Sequence, residues 1–170
     1  RRGRPVNPAG TLVAACRSAG CTIATAESLT AGLVSSAIAD VPGCSSVYRG
    51  GVVSYAASVK RDVLGIPQRL LADVVTQEVA EAMATGVCRV LDADLGIATT
   101  GVAGPDPLDG HVPGTAWIAV HDRRSGRTRS ELLALAGDRA DVRGACTMAA
   151  LALAARVVGN SETPPGVARS

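Results

Sequence analysis

The sequence predicts a single layered α/β/α domain built on a mixed, mostly parallel sheet of about five to six strands. Three observations predict it. Helical and strand-like patterns alternate through the first part of the chain, and a hairpin pattern follows them. No internal repeat or linker divides the 170 residues, a length suited to one domain with a substantial core. The apolar fraction is 47%, carried by Ala, Val and Leu, with Tyr48, Tyr55 and Trp117 as the aromatics and no Phe. A core of small side chains implies helices lying close to the sheet.

The elements follow in order. Residues 8–19 place Leu12, Val13 and Cys16 at helical spacing. Residues 22–26 form a short strand that runs into Glu27-Ser28-Leu29-Thr30-Ala31-Gly32 and then an apolar helix through Ile38, ended by Pro42-Gly43. Residues 47–54 form a second strand, in which Gly50-Gly51 predicts a bend or bulge. A helix starting near Ala56 carries Lys60 and stops around Gly65-Ile66-Pro67. Residues 76–91 give the clearest amphipathic helix: Thr76 is its N-cap, Glu78 and Glu81 lie in its first turns, and Val79, Met83, Val87 and Val90 form its inner face. Residues 95–100 read as a buried strand that opens into the Gly/Pro-rich loop 101–107. Residues 115–121 and 128–136 are strands joined by the turn Arg123-Arg124-Ser125-Gly126. Asp138 caps a final helix to about Val158, with Asp141 completing a capping-box-like pair and Val142, Cys146, Ala149 and Leu153 facing inward. The domain therefore spans residues 8–158, with 1–7 and 159–170 expected as flexible ends.

Composition excludes several classes. A net charge of +2 with dispersed arginines gives no nucleic-acid surface. The five cysteines form no CxxC, and with only His111 and His121 they offer no metal-ligand spacing. They read as buried apolar residues of a reduced, cytoplasmic protein. No long apolar run predicts a membrane span.

The chemistry-bearing residues are few. Lys60 is the only lysine beside sixteen arginines. Arginine clamps anions but cannot act as a base, whereas a desolvated lysine can take a proton from a nucleophile. Ser28 and Thr30 sit at a strand-to-helix turn, where backbone N–H groups favour anions, although both residue types are also ordinary caps. Tyr55 precedes Lys60 by five residues, one more than the Tyr-x-x-x-Lys of short-chain dehydrogenases, and no dinucleotide fingerprint accompanies it. Thr100 and Gly101 open the glycine loop. Arg139 and Arg143 share one helix face and can hold a phosphate or carboxylate, or pair with Asp138 and Glu131.

Taken together, Ala26-Glu27-Ser28-Leu29-Thr30-Ala31-Gly32, Val53-Ser54-Tyr55 through Lys60, Thr100-Gly101-Val102-Ala103-Gly104-Pro105, Gly114-Thr115-Ala116-Trp117 and Gly137-Asp138-Arg139 through Arg143 resemble, in order, the motifs of the CinA carboxy-terminal domain family. The resemblance covers about residues 8–158. It implies a nicotinamide-nucleotide amidohydrolase, which converts nicotinamide mononucleotide to nicotinate mononucleotide and ammonia. It also implies Ser28 as nucleophile, Lys60 as its base and Tyr55 as a partner in proton transfer. Thr30, Gly32, Thr100, Gly101, Arg139 and Arg143 would bind substrate, a small pyridine nucleotide. No metal or cofactor is expected. The chain departs from the family at Leu29, where the family has Cys, at Ala31, where it has Gly, and at Pro107, where Gly is more common. The amino-terminal domain that often precedes this module is not in the sequence, so a stand-alone form or a fragment is expected.

Three other readings compete: a nucleotide-binding module without turnover, an amidase for another small carboxamide, and an interaction protein. The last rests on the stripe Ala145, Ala149, Ala152 and Ala155, which suits a second copy of the chain or, as the favoured reading, the chain's own sheet.

Overall fold

The computed structural model describes residues 7–161. The expected flexible ends lie largely outside that range. Asn7 and residues 159–161 lie inside it and belong to the fold, because Asn7 caps the first helix and the last helix runs on to Ser161. In chain order the elements are α1 (Pro8–Ala19), β1 (Ile23–Glu27), α2 (Leu33–Ala39), β2 (Tyr48–Val53), α3 (Ala57–Asp62), α4 (Gln77–Leu91), β3 (Leu95–Gly101), β4 (Thr115–Asp122), β5 (Arg127–Ala134) and α5 (Arg139–Ser161).

The five strands form one sheet in the order β2-β1-β3-β4-β5. β1 runs parallel to both β2 and β3, and β4 runs antiparallel to both β3 and β5. Four strands therefore point one way and β4 against them. The bulge predicted at Gly50-Gly51 falls at Arg49, where the pairing jumps from Ile23↔Tyr48 to Ala24↔Gly50.

Alternation along the strands divides the core in two. Ile23, Leu95, Ile97, Ile118 and Val120 pack with α1, α2 and α5. The opposite face presents Ala24, Ala26, Ala98 and Ala119 to α4. α4 can approach so closely because the strand residue beneath it is Gly96, where a Cβ would lie 2.0 Å from the Ala84 carbonyl oxygen. Val79, Met83 and Val87 are buried as predicted, but Val90 is exposed. It keeps the stripe's direction, yet the helix end overhangs β2, so Val90 lines a surface cleft with Val47, Tyr48 and Arg49.

α5 has the length and hydropathy to cross a membrane, a property not foreseen from its sequence. Half of that stretch is buried, against α1, α2, β3 and β4, and the fold uses it as a core helix. Its start is the predicted capping box: Asp138 Oδ1 accepts from the Ala140 and Asp141 amides, and Asp141 Oδ2 accepts from the Asp138 amide at 3.0 Å.

Candidate active site

The site forms where the parallel strands end. Glu27 pairs level with Val53 on β2 and Thr99 on β3, so Ser28 and Ser54 leave the sheet together, while β3 runs on through Thr100 and Gly101 against β4. The Ser28 amide donates to the Thr99 carbonyl at 3.0 Å, and the Ser54 amide to the Glu27 carbonyl at 2.8 Å. From β1 the chain departs through α2 on one face, and it reaches β3 by way of α4 on the other. The crevice between β1 and β3 is thus the switch point at which open α/β sheets bind ligands.

Sequence reasoning missed the residue that organises the Ser28 loop. Glu27 is 1% exposed and accepts five hydrogen bonds, from the Thr30 and Ser35 hydroxyls and the Gly32, Val34 and Ser35 amides, all at 2.7–3.0 Å. A carboxylate on the preceding strand thus does what an N-cap side chain would do. α2 begins after Gly32, φ 99°, without a side-chain cap of its own. The signal was available: an acidic residue in an otherwise uncharged strand, one position before a strand-to-helix turn.

Lys60 is buried (1% exposed) on the short helix α3. Its Nζ lies 2.9 Å from Ser28 Oγ, 2.6 Å from the Ser54 carbonyl and 3.3 Å from the Tyr55 carbonyl. Burial pushes its pKa down to about 8. The same three partners satisfy either protonation state. An ammonium donates to all three; a neutral amine donates to the two carbonyls and accepts the Ser28 hydroxyl proton. Beside it the Ser54 hydroxyl is buried without a protein partner.

A cavity of about 370 Å³ opens in front of the pair, lined by Ser28, Leu29, Tyr55, Val74, residues 101–108 and Arg139. Of the expected site residues, Ser28, Tyr55, Gly101 and Arg139 meet here. Tyr55 contributes its carbonyl to Lys60, while its hydroxyl accepts from Arg139 Nη2 at 2.8 Å. Arg139 Nη1 donates to the Gly104 carbonyl at 2.7 Å.

Four expected substrate ligands stand behind the cavity instead. The Thr30 hydroxyl is buried between Glu27 and Thr99 Oγ1, 2.8 Å away. The Thr100 hydroxyl is buried and donates to the Val74 carbonyl at 2.7 Å. Gly32 gives its amide to Glu27. Arg143 donates to the Leu29 carbonyl at 2.8 Å and the Thr30 carbonyl at 3.1 Å, so its guanidinium ties the loop to α5. Neither arginine pairs with Asp138 or Glu131; Glu131 pairs with Arg156.

The Arg143 contacts have a consequence for the amides after Ser28. A peptide unit is planar and trans, so holding the Leu29 carbonyl fixes the Thr30 N–H in the opposite direction. The Leu29 and Thr30 amides donate to none of the loop's own acceptors, whereas those of Ala31, Gly32, Leu33, Val34 and Ser35 all do. The two amides that directly follow Ser28 are thus left without an acceptor in the loop. Among the described residues, no cluster of three His, Cys, Asp or Glu side chains gathers as a metal site.

An α/β domain with a buried Ser–Lys pair at its switch point is the class that this fold and site define. Residues 7–158 match the CinA C-terminal domain, and the chain belongs to that family. It is 44% identical over 146 residues to a CinA-like protein of Frankia casuarinae, covering 83% of this chain and 33% of that protein. The chain spans about a third of the length of the curated relatives it matches. A CinA superfamily protein from Klebsiella pneumoniae superposes with a TM-score of 0.85 at 28% identity, covering 90% of this chain and 96% of that one. One from Escherichia coli superposes with a TM-score of 0.83 at 31% identity, covering 89% and 88%. The names of these relatives specify no reaction.

Proposed function

We propose that the domain is a serine-type amidohydrolase acting on the carboxamide of nicotinamide mononucleotide. The observation that carries this reading is the 2.9 Å contact between Ser28 Oγ and a buried, carboxylate-free Lys60 Nζ. A lysine titrating at about 8 is partly neutral near neutrality, as a general base must be.

In the proposed sequence neutral Lys60 takes the Ser28 proton as Oγ attacks the carboxamide carbon. The oxyanion receives the Leu29 and Thr30 amides, a kind of contact worth about 3–4 kcal/mol per donor. The Lys60 ammonium returns the proton to the leaving nitrogen, and ammonia departs. Water then gives a proton to Lys60 and attacks the acyl-enzyme, releasing nicotinate mononucleotide, and Ser28 recovers its proton.

Arg139 is the cation on the cavity wall, and we assign it the substrate phosphate, with Tyr55 holding its guanidinium in place. In this reading Arg143 positions the nucleophile loop, and Tyr55 serves through its carbonyl on Lys60 and its hydroxyl on Arg139.

The test is ammonia release from nicotinamide mononucleotide, with nicotinamide riboside alongside and Ser28→Ala as control. Turnover that requires both Ser28 and the phosphate supports the proposal. Nucleotide binding with no ammonia from the unaltered protein rejects it in favour of a binding module.

A further inference from the structure

The opposite end of β1 holds a second pair of groups with chemistry of its own. α1 ends in a left-handed glycine: Gly20, φ 60°, gives its amide to the Arg17 carbonyl, and the Cys21 amide reaches back to the Cys16 carbonyl at 3.0 Å. This double ending folds the residue after the glycine onto the last turn, where an apolar contact usually forms. Here the two residues brought together are both cysteines. Cys16 and Cys21 are free and buried, and the turn sets Cys21 back against the last turn of α1, beside Cys16. Cys21 also lines a cavity of about 610 Å³ with Ser18, Asp94, Asp122, Arg124 and Ser125. Arg124 is anchored above the helix end by a 3.0 Å bond to the Ala19 carbonyl.

The two thiols are not equivalent. The hydrogen bond from Cys16 is the largest influence on Cys21 and holds its pKa below the usual thiol value; Arg124 acts in the same direction and burial against it. Cys16 is pushed up, first by that same bond and then by burial. Cys88 and Cys146, each pushed up to about 12 by burial, are the inert kind of buried thiol.

We propose that Cys16 and Cys21 are a dithiol site for small hydroperoxides, with Cys21 as the attacking sulfur and Cys16 as the resolving one. The Cys21 thiol gives up its proton and its thiolate attacks the peroxide oxygen; the O–O bond breaks, the leaving hydroxide takes up that proton as water, and Cys21 becomes a sulfenic acid. The Cys16 sulfur then attacks the Cys21 sulfur, a second water leaves, and a disulfide remains. Two thiols are oxidised and one hydrogen peroxide is reduced to two waters. An added dithiol reverses the bond by exchange. The site stands apart from Ser28 by the length of β1 and does not depend on the amidase reading.

The sequence makes the test direct, because Arg17 lies between the two cysteines and trypsin cleaves after it. The reduced, folded chain is treated with hydrogen peroxide, digested without reductant and analysed by tandem mass spectrometry, whose fragments tell Cys21 from Cys44 on their shared tryptic peptide, residues 18–49. The expected result is that the peptides carrying Cys16 and Cys21 are joined, lighter by two hydrogens than their sum, and separated again by dithiothreitol. In Cys16→Ser, dimedone is expected to trap Cys21 as its sulfenic acid. If Cys16 and Cys21 stay as separate thiols while the half-buried Cys44 is oxidised, the proposal is overturned.

Discussion

The cavity has two walls built on different terms. The wall after β1 is over-determined: Glu27 accepts five hydrogen bonds, Arg143 donates two, and Ser28 and Lys60 are buried within it. The wall after β3 is buried only to Gly104, and residues 105–110 are exposed. Beyond Val102, whose backbone bonds to Thr115 and Gly114, it is tied back by Arg139 to the Gly104 carbonyl and by His111 to Asp73. The difference teaches a division of labour. Chemistry needs reacting atoms held to fractions of an ångström, so the Ser–Lys wall is rigid. Recognition tolerates adjustment, and in the proposed reaction the more exposed glycine-rich wall would carry it.

The sharpest way to break this comparison is at Lys60. Lys60→Met keeps the side-chain volume and removes the base. Amidase activity should fall on the order of 10²–10⁴-fold while circular dichroism is unchanged. In the unaltered protein, kcat/KM should rise through pH about 8 as Lys60 loses its proton. Stability should follow the same group. Its folded pKa lies below its ordinary value, so between pH about 8 and 10.5 the unfolded chain holds the extra proton and stability rises with pH. Below that window the cost of burying the ammonium is paid in full. Urea unfolding across the window should show the rise in the unaltered protein and lose it in Lys60→Met. A flat profile in both would remove Lys60 from its assigned role.

Glu27→Gln should come next. The amide keeps one accepting oxygen and turns an NH₂ toward donors, so bonds to a charged acceptor, each worth about 1.5–3 kcal/mol, are lost. We expect a destabilisation of about 3 kcal/mol in urea unfolding and a fall in kcat larger than any rise in KM. An unchanged kcat would mean that the loop's geometry does not depend on its carboxylate.

The two arginines separate the walls. Arg139→Ala should raise KM for nicotinamide mononucleotide about tenfold, the scale of a charge-assisted bond, with kcat nearly held. Arg143→Ala should do the reverse, lowering kcat about tenfold by loosening the amides that it aims. If Arg143→Ala raised KM instead, Arg143 would hold the phosphate after all.

How much of this was legible in the sequence differs between the same two levels. Helices, strands and caps were legible because their causes are local: Thr76 and Asp138 cap where they were expected to, and β1 and β3 fall on the short strands read at residues 22–26 and 95–100. Ser28 and Lys60 could be named as candidates from residue type, since one lysine among sixteen arginines is conspicuous. Their contact could not, because 32 positions separate them and only the sheet brings them level. Thr30, Thr100 and Arg143 read as ligands because hydroxyls and guanidiniums bind phosphates. Their burial against Glu27, Val74 and the loop carbonyls is tertiary. Glu27 itself went unread because an acid at a strand end looks like a solvated one until its five partners are counted.

The smallest expected effect bears on the tighter wall from inside. Ala31 occupies a left-handed conformation, φ 47°, at which an L-residue bears about 1–2 kcal/mol of strain. The strain is sustained because its neighbours are bound on both sides: its own amide donates to the Ser28 carbonyl, and the next amide, of Gly32, to Glu27. Ala31→Gly relieves the methyl's clash but adds freedom to the unfolded chain, which offsets about 0.4–1 kcal/mol of the gain. The net should be a stabilisation below about 1 kcal/mol in urea unfolding, with kcat within about twofold, because Glu27 and Arg143 already hold the backbone where the strain would otherwise move it. A large rise in kcat would instead mean that the methyl keeps the Leu29 and Thr30 amides out of line. The wall would then be rigid in the wrong place, and its hydrogen bonds would be resisting the chemistry they surround.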